Sequence, residues 1–147
     1  MVHPTSGTLG HVVSGEPLWE DLRMKTIDTG YAKPGRLLMR DTDDDHCKVA
    51  GAGEAKIIGY LADLPKHDSD DDFRTEHWIR CASGRNHLVW LMATTGQTIV
   101  KGALLYPAAH GALKTTPTST EAAVAKAVQS LTTTTLAEAP ILVECVI

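Results

Sequence analysis

The chain has 147 residues, 43% of them hydrophobic, which is enough to bury one compact core. Its formal net charge is −4 and its 14 lysines and arginines form no cluster, which argues against a nucleic-acid partner. No apolar run approaches the roughly 18–20 residues of a membrane span, and the opening MVHPTSGTLGH lacks the basic-then-apolar order of a secretory leader, so the expected place of synthesis is a cytoplasm.

Residues 1–17 carry Pro4, Gly7, Gly10, Gly15 and Pro17 among scattered Ser and Thr. Such a segment buries little apolar surface and does not offset its own ordering entropy. It is expected to be an extended arm, mobile in the free protein, with residues 18–147 as the single folded domain. Residues 18–27, LWEDLRMKTI, fit a helical turn or a strand. Residues 36–40 read as a strand, 41–46 as a polar turn and 48–50 as the returning strand. Gly51-Ala52-Gly53 turns the chain again, and residues 56–62 form a further strand.

Residues 65–75, PKHDSDDDFRT, form a charged loop. Residues 78–82 read as a strand that Ser83-Gly84-Arg85-Asn86 ends. Residues 87–93, HLVWLMA, are the most apolar central run and are expected to be a strand buried on both faces. A turn at 94–97 leads to the stretch that organises the chain, VKGALLYPAAHGALK at 100–114. Gly102 permits backbone angles other residues avoid, and residues 103–106 make a short apolar strand. Pro107 cannot donate a ladder hydrogen bond, so the strand ends there or sits at a sheet edge, and His110-Gly111 turns the chain back along 112–114.

The same plan occurs earlier. Gly35-x-Leu37-Leu38 matches Gly102-x-Leu104-Leu105, Lys48-Val49 echoes Leu113-Lys114, and apolar runs at 57–61 and 124–128 close the two units. Two similar β-hairpin modules are therefore expected. Thr118-x-x-Glu121 fits a helical capping box and the alanines after it favour helix. The module plan puts a strand at 124–128, and strand is the preferred reading. Residues 132–135 are four threonines that resist helix, and 140–147, PILVECVI, is a terminal strand with Ile141, Val143, Cys145 and Ile147 on one face.

Cys47, Cys81 and Cys145 make neither a disulfide framework nor a C-x-x-C site and read as small buried hydrophobes. Asp43-Asp44-Asp45-His46 and His67-x-x-Asp70-Asp71-Asp72 are the only dense ligand clusters. Neither has the loop order or turn glycine of a calcium site, so both read as solvated tips. Gly51-Ala52-Gly53 with Lys56 lacks the G-K-[ST] ending of a phosphate loop. No nucleophile elbow or acid–base pair assembles by spacing. No catalytic, cofactor or metal residue is therefore assigned. Trp19, Trp78 and Trp90 are large enough to anchor a partner, or to fill a core.

G-x-L-L-x-x-D at 35–41 and KVAGAGEAKIIGYL at 48–61 resemble the tailed-phage capsid decoration, or cement, proteins. There, a P-L-M-x-D strand leads through a polar hairpin into a V-G-I-L strand. The matching positions are Leu37, Leu38, Met39 and Asp41, then Ile57, Ile58, Gly59, Tyr60 and Leu61. KGALLYPAAHGALK resembles the G-x-x-L-Y-x-x-x-D-G-x-L segment of head cement families, and the closing AVAKAVQSLTTT and PILVECVI are similar to their last strand pair. Lys126 and Ala127 stand where a glycine is common, and the acidic stretch 65–75 has no counterpart. The resemblance implies a mainly β fold: one small barrel or sandwich-like domain of β-tulip type with an extended N-terminal arm and few short helices. It implies a structural virion subunit without catalysis or cofactor. Such a subunit binds the major capsid protein on the outer surface of the mature shell as a homotrimer near three-fold axes, stabilising it against internal pressure. Val2, Leu9, Val12 and Val13 are the expected apolar anchors of the arm. The alternative is a small β-barrel ligand- or metal-binding domain or enzyme using the Asp/His loops.

Overall fold

The computed structural model describes residues 7–64 and 71–147, and these are mainly β. The first half contains β1 (Val12–Ser14), β2 (Leu18–Met24), β3 (Leu37–Asp41), β4 (Asp43–Val49), β5 (Ile57–Leu61) and β6 (Trp78–Ser83). The second contains β7 (Leu88–Ala93), β8 (Thr98–Ile99), β9 (Leu104–Pro107), a 3-10 turn (Ala109–Gly111), β10 (Leu113–Lys114), β11 (Ala125–Ala127), β12 (Leu131–Thr132) and β13 (Ala139–Cys145).

Strands β2-β4-β3-β5-β6 close into a barrel. In the second half β13 pairs with β7, so β7-β10-β9-β11-β13 also return on themselves. The two rings share one plan. In each, the middle strands pair antiparallel and closure is a short parallel contact, β2 with β4 and β7 with β10. The registers agree residue by residue. Leu37 faces Tyr60 as Leu104 faces Lys126, Met24 faces Cys47 as Ala93 faces Leu113, and Met39 faces Lys48 as Tyr106 faces Lys114. Gly35 and Gly102 open the equivalent strands at φ +86 and +92, angles that cost glycine little. The expected repeat is thus a pair of five-stranded rings. The register corrects one detail: the partner of Leu113-Lys114 is Cys47-Lys48, one residue before the expected Lys48-Val49.

Inward positions correspond as well. Leu22, Met24, Leu38, Cys47, Leu61, Ile79 and Cys81 fill the first ring, and Leu91, Ala93, Leu105, Leu113, Ala127, Ile141 and Val143 stand at the same places in the second. Five-stranded rings leave little interior, so Leu, Ile, Val, Ala, Met and Cys line them, and Phe73 packs with the first cluster. Leu37, Tyr60 and Ala82, on the outside of the first ring, join the cluster of the second, and the rings form one domain. At that seam Gly111 (φ +69) sits so close that a Cβ would lie 2.8 Å from Val49 Cγ1 and 2.9 Å from the Leu37 backbone. Tyr60 Oη and His87 Nε2 are hydrogen-bonded at 2.8 Å, and Arg36 makes a two-pronged bond to Glu138 at 2.8 Å each.

One other expectation needs correcting. Residues 43–46 are strand, not turn: the hairpin reverses at Thr42 (φ +42), and the carboxylates sit at the solvent end of β4 where they stay hydrated. Of the two readings open for residues 18–27, the strand holds over Leu18–Met24 as β2. Glu121 reaches back to the Thr118 and Ser119 amides, half of a capping box, and the chain goes on into β11, the strand preferred for 124–128.

From Gly7 onward the expected arm lies on its own domain. β1 pairs antiparallel with β7, Gly10 N–H donates to the Trp90 carbonyl, and Asp63 N–H donates to that of Gly10. At Gly10 (φ +73) a Cβ would lie 2.7 Å from the Asp63 nitrogen, and at Gly7 it would enter the Trp90 indole. These glycines serve close approach. Residues 1–6 and 65–70, with Val2, His67 and Asp70, lie outside the described residues.

Candidate functional site

The outer face of β2 and β6 carries the largest bare aromatic surface. Leu22 and Met24 point into the first ring, so Trp19, Asp21 and Arg23 point out, across from Ala82, Arg80 and Trp78 respectively. Trp19 is 51% exposed, Trp78 58% and Leu18 69%. Each indole carries a guanidinium: Arg80 lies 5.4 Å from the Trp19 ring centre and Arg23 5.2 Å from that of Trp78. Arg80 also meets Asp21 at 3.4 Å. Four strand positions separate the two tryptophans, about 13 Å at roughly 3.3 Å per residue. Asp21, Leu64, Trp78 and Arg80 line an open depression of about 250 Å³, and Val12, Gly15, Glu16, Pro17 and Trp19 line one of about 280 Å³.

The equivalent face of the second ring is covered. Leu88, Trp90 and Met92 occupy the places of Trp19, Asp21 and Arg23, and Trp90 is 2% exposed beneath Gly7. Of the three tryptophans, two are presented and one is core.

A charged node closes the seam between β2 and β4. His46 puts Nδ1 2.7 Å from Asp43 and Nε2 3.0 Å from Glu76, and Arg23 and Lys25 each reach Glu76 at 3.4 Å. Both ring nitrogens face carboxylates, so the protonated imidazole fits: its bonds to Glu76 and then Asp43 raise the His46 pKa. The bond from His46 holds the Glu76 carboxyl below its usual range. Glu76 has φ +63, a left-handed backbone kept in place by these side-chain bonds.

The other residues singled out in sequence have structural places. His46 and Asp43 are bound to each other, and Asp72 accepts from the Gly30 and Ala32 amides. Among the described residues no three His, Cys, Asp or Glu are arranged to hold a metal ion. All three cysteines are free and buried, and desolvation pushes the Cys47 and Cys81 thiols up to about 12. Leu9 packs on Gly35, where a Cβ would lie 2.8 Å from its own, and Val12 is in the β1–β7 ladder. Of the expected anchors among the described residues, Val13 is the one classed as exposed, at 44%. Sequence reasoning missed Leu18, Asp21, Arg23, Leu64 and Arg80. The signal was there: Trp19, Asp21 and Arg23 alternate at period two, as do Trp78 and Arg80, but it has meaning only once 18–24 is known to be a strand.

No family model and no curated protein matches the chain.

Proposed function

We propose that the protein is a structural binding subunit, a capsid decoration protein that binds the major capsid protein on the outside of a mature icosahedral shell through the β2–β6 face. The observation that carries this reading is the exposed pair Trp19 and Trp78, each with an arginine over its ring. Tryptophan and arginine dominate binding energy in protein interfaces, and large apolar side chains held in solvent favour a partner that covers them. The motif resemblance of residues 33–61 and 97–147 supplies the identity of that partner. A subunit that binds only the expanded shell stabilises it by mass action, and a trimer near a three-fold axis multiplies modest contacts through effective concentration. The reading gives the chain no catalytic step and no cofactor. The alternative use of the Asp/His loops for a ligand or metal is disfavoured by His46, whose ring nitrogens are both engaged by carboxylates.

Co-sedimentation of the purified chain with compact and expanded shells of its own virus tests the proposal. Saturable binding to expanded shells, unchanged by chelator, is expected. Failure to bind expanded shells, or stability that falls with chelator, would overturn it.

A further inference from the structure

The outward edge of β2 is the vacant counterpart of an edge that the chain itself fills in its second ring. Met24 N–H donates to His77 and Met24 C=O accepts from Glu76, so in β2 the even-numbered residues aim their backbone groups at β6. Trp19, Asp21 and Arg23 therefore aim theirs to the other side. There β4 pairs only with Arg23 and Met24, and Lys25 N–H reaches Cys47 C=O. Among the described residues no strand is paired beside residues 19–21.

The second ring is the same up to this point, with Thr94 N–H reaching Leu113 C=O in the equivalent bond. Trp90 stands in the place of Asp21, but its N–H donates to His11 C=O and its C=O accepts from Gly10 N–H. Ser14 lies beside Leu88, the counterpart of Trp19. Among the described residues one ring carries an added antiparallel strand where the other carries none.

The surroundings of the bare edge state what would fill it. Continuing the parallel register two residues back from Arg23 and His46 sets Asp44 across the gap from Asp21. Arg40 is bound to Glu20 at 2.9 Å, whereas Glu16, Asp44 and Asp45 are exposed and make no ion pair among the described residues. Trp19 lines one side. We infer that the edge of β2 at residues 19–21 accepts an antiparallel strand from a second protein, an extended segment with basic side chains facing these carboxylates and an apolar one against Trp19. This rests on the edge geometry and is independent of which shell, if any, the protein coats.

Amide exchange of the full chain tests it, with a blocked heptapeptide of alternating valine and lysine as probe and its glutamate counterpart as control. In dilute protein the Trp19 and Asp21 amides should exchange far faster than those of Glu20 and Leu22. The lysine peptide should slow them by at least about tenfold and the glutamate peptide should not. Asp21→Pro removes an amide that takes no part in the β6 ladder and should abolish peptide binding, while Asp21→Asn, which keeps it, should retain most of it. Trp19 and Asp21 amides already slow in dilute free protein, or equal binding of both peptides, would overturn the inference. So would undiminished binding by Asp21→Pro; if that variant does not fold, the wild-type exchange comparison decides alone. Protection that grows with protein concentration in the absence of peptide would assign the edge to a second copy and refute the basic partner.

Discussion

Removing the Glu138 carboxylate should damage the protein more than removing its arginine. The Arg36 side chain is 5% exposed, lies over the Tyr31 ring at 5.1 Å, and donates to both Glu138 oxygens and to the His110 carbonyl. Glu138→Ala leaves a guanidinium at the seam between the rings with one carbonyl for company. Breaking a buried pair in this way costs about 3–5 kcal/mol. Glu138 is itself 22% exposed, which puts the expected loss near the lower end, about 3 kcal/mol. For a chain of this size that is a fall in melting temperature of roughly 6–12 °C. Arg36→Met removes the charge and leaves a carboxylate that water can reach, for about 1 kcal/mol, and Arg36→Met with Glu138→Leu should fall no further. Thermal and urea unfolding of the three variants measure this. A loss below about 1 kcal/mol for Glu138→Ala, or a larger loss for Arg36→Met than for Glu138→Ala, would refute the claim that the seam depends on this pair.

The His46 pKa is raised in the folded state, so its contribution is complete below the unfolded value near 6.5 and is lost as pH rises through the folded value. His87 has the opposite sign: burial beside Tyr60 lowers its pKa, so stability is lost as pH falls through 6.5 and below. Unfolding across pH 5–9 should show the alkaline loss disappear in His46→Gln, and its persistence there would be contrary evidence. The three cysteines should react with an alkylating reagent only at the rate of unfolding, because their thiols are buried and protonated; rapid native labelling would contradict the ring interiors. Leu38→Ala and Leu105→Ala occupy the same position of the two rings and should each cost about 3–5 kcal/mol, read by urea unfolding. A loss at one site alone would mean that the rings do not share one packing plan.

Much of the fold was legible because Gly35 and Gly102 announce the same local angle and Leu37-Leu38 and Leu104-Leu105 the same alternation, and a repeated pattern is more readable than either copy. The strands at 78–83 and 88–93 were legible from their apolar alternation and density. Residues 43–46 were not, since a strand end that stays hydrated tolerates three aspartates and so looks like a turn. Gly7 and Gly10 were read as freedom because composition does not show that Trp90 and Asp63 press against them. The candidate face was hidden for a related reason: whether a tryptophan is anchor or core depends on what lies over it. Trp90 is covered by a segment about 80 residues away in sequence, and Trp19 is not.

Binding of wild-type protein and the Trp19→Ala/Trp78→Ala double variant to expanded shells decides between an interaction face and an idle surface. Both side chains are more than half exposed, so the double variant should fold with nearly wild-type stability. If the face carries the contact, each truncation removes about 2 kcal/mol, and together they should weaken binding by on the order of a thousandfold. Saturation at wild-type affinity by a folded double variant would contradict it.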